Sequence, residues 1–253
     1  MNVVDPSVKE KLWHQLQGDL ATYIPEIVSA GLLMCCTCGR FLPFEKFNLE
    51  HIIPQQALLD DPPEIKSNPA ATKNVRSGTT LLCNEPLRVS GTTVHRNGCN
   101  SWKGKFFDKA IREAFNGRMD GPAYKRPTDQ HLIALLCMAY LAMVARFGYQ
   151  IALIPSGLLM RQQFFRPHSF HKNMPPNCQM VLGAPAPQYR DEHLDLWLHP
   201  FKFEIGRSSC IVVCRTYGVR IPLSRDPRLP LFRHLPILPE RYKLRPSFRT
   251  VFD

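Results

Sequence analysis

Acidic side chains are scarce in this sequence. There are 21 Asp and Glu against 32 Lys and Arg, a formal net charge of +11. The shortage is sharpest over residues 201–250, where eleven Lys or Arg face only Glu204, Asp226 and Glu240. Such an imbalance points to an anionic partner, with nucleic acid first and a membrane surface second. A basic C-terminal region of this kind holds nucleic-acid backbone with salt-sensitive affinity. Phe232, Tyr242 and Phe248, interleaved with the charges, are of a type that stacks on bases or docks on the domain. No base-reading motif accompanies them. No secretory signal is expected from residues 1–5, which carry no basic region and are followed by no apolar run. With nine cysteines, an odd number, the expectation is a reducing, cytoplasmic setting and metal-binding thiols rather than a disulfide framework. The uncharged run 132–145 has fourteen residues, short of the roughly 20 needed to span a membrane, and Arg146 ends it. No amphipathic basic helix appears either, which sets membrane binding aside. Apolar content of 44% is ordinary for a globular chain.

What is present is pattern. Cys35 and Cys38 form a C-x-x-C pair followed by Gly39, a spacing that lets two thiolates reach one tetrahedral zinc ion. No second such pair follows, so further ligands must come from a distance. Cys83, after Leu81 and Leu82, and Cys99, just before a helix, are the natural candidates. The alternatives are unpaired buried thiols or a redox pair, although the strand-then-helix setting of thioredoxin-like proteins is lacking. Cys36 reads as a small buried residue.

Glu50 and His51 are adjacent in an expected strand, 47–53, which Pro54 ends. Neighbouring strand residues point to opposite faces, so the two divide their roles. One can hold a metal while the other, an imidazole with a pKa of about 6.5, takes a proton from water. Asn100 is expected to open a helix running to about Phe115, on which Phe107, Ile111, Ala114 and Phe115 recur at helical spacing. It reads either as an N-cap or as an oxygen donor to a hard divalent cation. Arg76, Arg88, Arg96, Lys103 and Lys105 lie nearby in sequence and suit a phosphodiester clamp; a solvated face is the bland alternative for each. Trp102 reads as a core residue or a base-stacking one.

The series Cys-x-x-Cys, Glu-His-Ile-Ile-Pro, Leu-Leu-Cys and Cys-Asn-x-x-Lys-Gly over residues 32–116 resembles the HNH endonuclease superfamily. The resemblance implies a ββα-metal core with a structural zinc ion on Cys35, Cys38, Cys83 and Cys99. It implies Glu50 and Asn100 as ligands of a catalytic Mg2+ or Mn2+, His51 as general base, and Asn74 as the residue that steadies the loop. The implied activity is phosphodiester hydrolysis, in DNA ahead of RNA. The alternative is a non-catalytic, zinc-stapled module that binds nucleic acid or protein. Fifteen residues, 84–98, separate Cys83 from Cys99 where the family commonly has two. That insertion leaves His95 as a competing zinc ligand. Cutting two strands with one site leaves a homodimer or an activating protein partner open.

The whole reads as α+β: a helical scaffold over 1–30, the nuclease-like core over 31–118, a helical and loop segment over 119–192, and a basic β-rich region over 193–253. Val8, Leu12, Leu16 and Leu20 mark the buried face of the first helix. Residues 55–80 read mostly as loop, with Asp60 and Asp61 in a solvated acidic turn. A helix is expected from Thr128 to Phe147 with Gly148 as its stop, then a strand over 149–154 and a helix over 158–165. Residues 166–190 read as loop, with His168 and His171 as ordinary loop histidines. Leu194, Leu196 and Leu198 alternate with polar residues and Trp197, which predicts a strand. Further strands follow over 201–205 and 210–213, with turns at Gly206 and Gly218.

Overall fold

The computed structural model describes residues 7–89, 92–115, 129–165, 179–182, 194–206, 209–214 and 217–222. The linker at 116–128, His168, His171 and the basic tail beyond 222 lie outside the described residues. Helix α1 (Val8–Ala21) starts with a reciprocal cap. The Ser7 N–H donates to Glu10 Oε2 at 2.6 Å, and the Glu10 N–H to Ser7 Oγ at 3.3 Å. Two first-turn donors are thereby satisfied. Gly18 stays within α1, and Pro25 opens a separate α2 (Pro25–Ser29). The buried stripe is Trp13, Leu16 and Leu20, while Val8, expected on it, is exposed. Trp13 meets Phe44 and Phe47 edge-on.

Small antiparallel pairs carry the middle of the chain. Strands β1 (Leu32–Met34) and β2 (Phe41–Pro43) flank the C-x-x-C turn. Strand β3 (Phe47–His51) pairs with β4 (Thr79–Cys83), setting Phe47 opposite Cys83 and His51 opposite Thr79. The interval between them is not mostly loop. It holds a 3-10 turn (Ala57–Asp60), α3 (Pro63–Ser67) and α4 (Lys73–Ser77). Short helices suit this Pro-rich stretch because proline is tolerated at a helix's first turn, as Pro63 shows. Strands β5 (Leu87–Val89) and β6 (Thr92–His95) make a hairpin between Cys83 and Cys99. Helix α5 (Gly98–Lys103) then runs through a π turn (Gly104–Asp108) into α6 (Lys109–Phe115).

Helix α7 (Asp129–Phe147) is the spine of the second half. Its 18-residue window Gln130–Phe147 is long and apolar enough to cross a membrane by length and composition. Here its residues 133–144 are buried, beneath α6, strands of the last sheet and the helices that follow. Gly148 stops it at φ 76°. The next segment is helix α8 (Tyr149–Leu153), where a strand was expected. The Tyr149 N–H is capped by the Asp19 carboxylate, and all five residues are buried, so the apolar run carries no period that separates helix from strand. Helix α9 (Pro155–Phe164) follows.

Four antiparallel strands close the described chain: β7 (Gln179–Leu182), β8 (Phe201–Ile205), β9 (Ser209–Cys214) and β10 (Tyr217–Pro222), in the order β7-β10-β9-β8. Strand β7 falls in a stretch expected to be loop, and Gly218 lies inside β10 opposite Val213 rather than at a turn. The expected strand at 194–198 is helix α10 (Leu194–Leu198). Trp197, not the leucines, is its buried residue, packed with Ile65 and Ala71. The fold is thus α+β, a mixture of helices and small antiparallel sheets. One continuous buried cluster runs from Trp13 through the cysteines and α7 to β10.

Candidate functional site

Four buried cysteines converge. The Sγ atoms of Cys35, Cys38, Cys83 and Cys99 all lie within 4.8 Å of one another. The Cys38–Cys83 separation is 3.7 Å and the Cys83–Cys99 separation 3.4 Å. Four sulfurs about 2.3 Å from a tetrahedral ion stand about 3.8 Å apart, so the cluster fits a metal such as zinc, and an all-sulfur donor set favours a soft or borderline ion. His95 is not part of it; its ring lies edge-on to Trp102 at 5.6 Å. The first two ligands share a tight turn in which the Gly39 N–H donates to Cys35 O at 2.9 Å and the Cys35 N–H to Arg40 O at 2.8 Å. Cys83 ends β4 and Cys99 is the second residue of α5. Gly98 makes that junction feasible: at φ 76°, a Cβ there would lie 2.5 Å from Asn84 C and 2.7 Å from Cys83 O.

Arg40 ties the cluster down. Its guanidinium donates to Cys38 Sγ at 3.4 Å, Cys83 Sγ at 3.5 Å, Pro86 O at 2.9 Å and Glu85 O at 2.9 Å. A divalent ion on four thiolates carries two net negative charges, and this cation offsets one of them. Cys36 stays out of the set. Burial pushes its thiol well above the ordinary range, and its carbonyl accepts the Tyr140 hydroxyl at 2.6 Å.

A second polar constellation sits where β3 meets α5. Glu50 is buried, and its Oε1 lies 2.6 Å from Lys103 Nζ. The same ammonium, only 1% exposed, also reaches Asp108 Oδ1 at 2.7 Å and His51 O at 3.1 Å. Three donors thus meet three acceptors. Burial opposes the charged form of Lys103, but Glu50 and Asp108 outweigh it and hold its ammonium above the usual range. Burial likewise raises the Glu50 carboxyl, against the pull of Lys103. Asp108 gets there because of the π turn. A residue five positions on is out of line in an α-helix, whereas an i→i+5 turn brings it over Lys103.

His51 is half-buried, and its Nδ1 lies 2.8 Å from Ser77 Oγ. Ser77 Oγ in turn donates to Asn74 O at 3.3 Å. With its one proton committed there, the hydroxyl accepts from Nδ1–H, and Nε2 keeps its lone pair. Burial, then the charges of Lys103 and Lys73, lower the His51 pKa below the ordinary imidazole value. The contact at Asn74 is through its main-chain carbonyl, which any residue there would offer.

The remaining expected site residues divide. Asn100 lies inside α5, one turn before Lys103, and is not its cap; that position is Asn97. Arg76 is buried, ion-paired with Asp61 and donating to Ala71 O at 2.8 Å. It is therefore a structural cation rather than a free phosphate clamp, and Asp61 is no solvated turn residue. Lys103 is likewise buried, and in this structure its ammonium is held by three acceptors of the fold. Arg88, Arg96 and Lys105 are exposed. Trp102 is part-buried, donating from Nε1 to Phe164 O at 2.8 Å against Phe106 and Phe165. Sequence reasoning missed Ser77, Asp108 and Arg40. Ser77 is recognisable only once the strand register is known: the Ile53 N–H donates to Ser77 O and the Ile52 N–H to Gly78 O, both at 3.0 Å, which sets Ser77 beside His51. Compared with known proteins, the chain matches no family model, no curated protein and no solved structure.

Proposed function

We propose that this protein is a metal-dependent endonuclease that hydrolyses phosphodiester bonds, in DNA ahead of RNA, on a core of the HNH type. The observation that carries the reading is the His51–Ser77–Asn74 relay beside a buried carboxylate. A half-buried imidazole with a fixed tautomer, a lowered pKa and a free Nε2 is suited to general-base work at neutral pH. Glu50 and Asn100 are the residues that would hold Mg2+ or Mn2+, which when bound supplies charge stabilisation at the phosphate. His51 Nε2 takes the proton of an attacking water as its oxygen bonds to phosphorus. The bond from phosphorus to the leaving sugar oxygen breaks, and that oxygen takes a proton from solvent. The exposed Arg88, Arg96 and Lys105, with the basic composition of residues 201–250, would hold the nucleic-acid backbone. Cys35, Cys38, Cys83 and Cys99 would hold the structural zinc.

One observation favours a second reading. Lys103 already neutralises Glu50, which suits a zinc-stapled module that binds nucleic acid or protein without cutting. Both are tested by incubating the zinc-loaded protein with plasmid DNA and Mg2+ or Mn2+, beside a His51→Ala variant shown to keep zinc and fold. Nicking by the parent with loss in the variant supports the nuclease. An intact plasmid that both proteins retard on a gel at low salt overturns it in favour of the binding module.

A further inference from the structure

The ammonium of Lys103 stands where a small cation would. Glu50 Oε1, Asp108 Oδ1 and the His51 carbonyl converge on it at 2.6, 2.7 and 3.1 Å. These are oxygen donors, two of them carboxylates, from a strand, the strand's end and a π turn. They are also the ligand types that a hard divalent ion takes. The position is buried, and one ammonium against two carboxylates leaves a net negative charge there.

We infer that this pocket is a cation-exchange site: a divalent metal ion displaces the Lys103 ammonium from Glu50 and Asp108, and the released ammonium turns toward the substrate phosphate. The inference rests on the reading of Glu50 as a cation ligand and adds Asp108 as a second carboxylate. Charge decides the direction. A divalent ion added beside the ammonium would leave the pocket positive, whereas exchange leaves two carboxylates matched by two positive charges. Buried charge is costly unless balanced. Tethering makes the ammonium an effective occupant while metal is scarce. Its four-carbon stem keeps it close after release, as a mobile point charge, where a phosphodiester gathers negative charge during displacement. The π turn then has a purpose, since without it Asp108 would not face this point.

The test uses the zinc-loaded full chain and Mn2+ as probe, so that the thiol cluster is already filled. Mn2+ binding is measured by calorimetry for the parent, Lys103→Met and Asp108→Asn. Removal of the competing ammonium should tighten Mn2+ binding at least tenfold in Lys103→Met. Loss of a carboxylate should weaken it at least tenfold in Asp108→Asn. As a readout that does not depend on the folding of Lys103→Met, the parent is also treated with an amine-acylating reagent and mapped by mass spectrometry. Lys103 should be protected without Mn2+ and become acylated as Mn2+ saturates. Continued protection at saturation, or no Mn2+ binding by the parent, overturns the inference. Its failure is distinct from that of the nuclease reading. Exchange without plasmid nicking keeps the site and removes the nuclease, and nicking with Lys103 still protected does the reverse.

Discussion

His51 depends on a single hydroxyl for its tautomer. Ser77 Oγ receives the Nδ1 proton because its own is committed to the Asn74 carbonyl, and without it the imidazole is free to turn or to carry its proton on Nε2. A hydrogen bond of this kind contributes about 0.5–1.5 kcal/mol net. Ser77→Ala should therefore slow plasmid nicking by roughly 3–10-fold in kcat with KM little changed. The sign of the pH response follows from the lowered His51 pKa. The base form exists above that pKa, so the parent's rate should stay level from neutrality down past the usual imidazole range of about 6.5 and fall only at more acid pH. Burial is the first cause of that lowering and Lys103 the next; neither is removed in Ser77→Ala, whose profile should keep the same acid limb at a lower plateau. A parent profile with its midpoint above the ordinary imidazole value would exclude His51 as the base in this environment.

At the scale of elements, the fifteen residues between Cys83 and Cys99 are bridged by one hairpin and one glycine. Strands β5 and β6 pair as a hairpin, and Gly98 then lets α5 begin against the end of β4. Gly98→Ala would combine a left-handed backbone, costing about 1–3 kcal/mol, with a Cβ 2.5 Å from Asn84 C. Zinc affinity and Tm should both fall, measured with a colorimetric chelator and by calorimetry. Gly18→Ala, in mid-helix with nothing within 4 Å of its Cβ, should leave both intact or slightly raised. Equal zinc affinity in the two variants would show that Gly98 does not govern the fourth ligand. The sequence alone disclosed Cys35 and Cys38 by their spacing, and the strand of Glu50 and His51, α7 and strands β8 and β9 by alternation, uncharged length or bounding turn residues, whereas Cys83 and Cys99 stood only as candidates beside His95. It hid α8 and α10, whose five-residue spans are too short to show a period. It also hid the true partners of Arg76 and Lys103. Charge type suggested phosphate, but Asp61 is 15 residues upstream and Asp108 arrives only through the π turn. Pairing of that sort is a property of the packed fold and leaves no local pattern.

At the scale of the whole molecule, the helices of the second half are fastened to the cysteine knuckle. The Tyr140 hydroxyl on α7 donates to Cys36 O at 2.6 Å, and the Tyr149 hydroxyl on α8 donates to Met34 O. The buried cluster continues through both. Zinc bound by four thiolates contributes an apparent folding free energy of about 10–16 kcal/mol in small metal-dependent domains, while whole domains are stable by only about 5–15 kcal/mol. Loss of the ion should therefore not stop at the knuckle. Without metal, the four buried sulfurs face one another and Arg40 loses the anion it balances. That should loosen the seat of Met34 and Cys36, whose carbonyls accept the two tyrosine hydroxyls. In a denaturant series with a chelator dye present, zinc release, loss of far-ultraviolet helix signal and the change in tryptophan fluorescence should fall on a single transition, as expected when one cooperative unit unfolds. Stripping the ion with a strong chelator in the absence of denaturant should lower Tm sharply and broaden the melt. Should the helical signal outlast zinc release, α7 would be a spine that stands without the metal, and the two tyrosine hydrogen bonds would be contacts between independent units rather than the link that makes the chain fold as one.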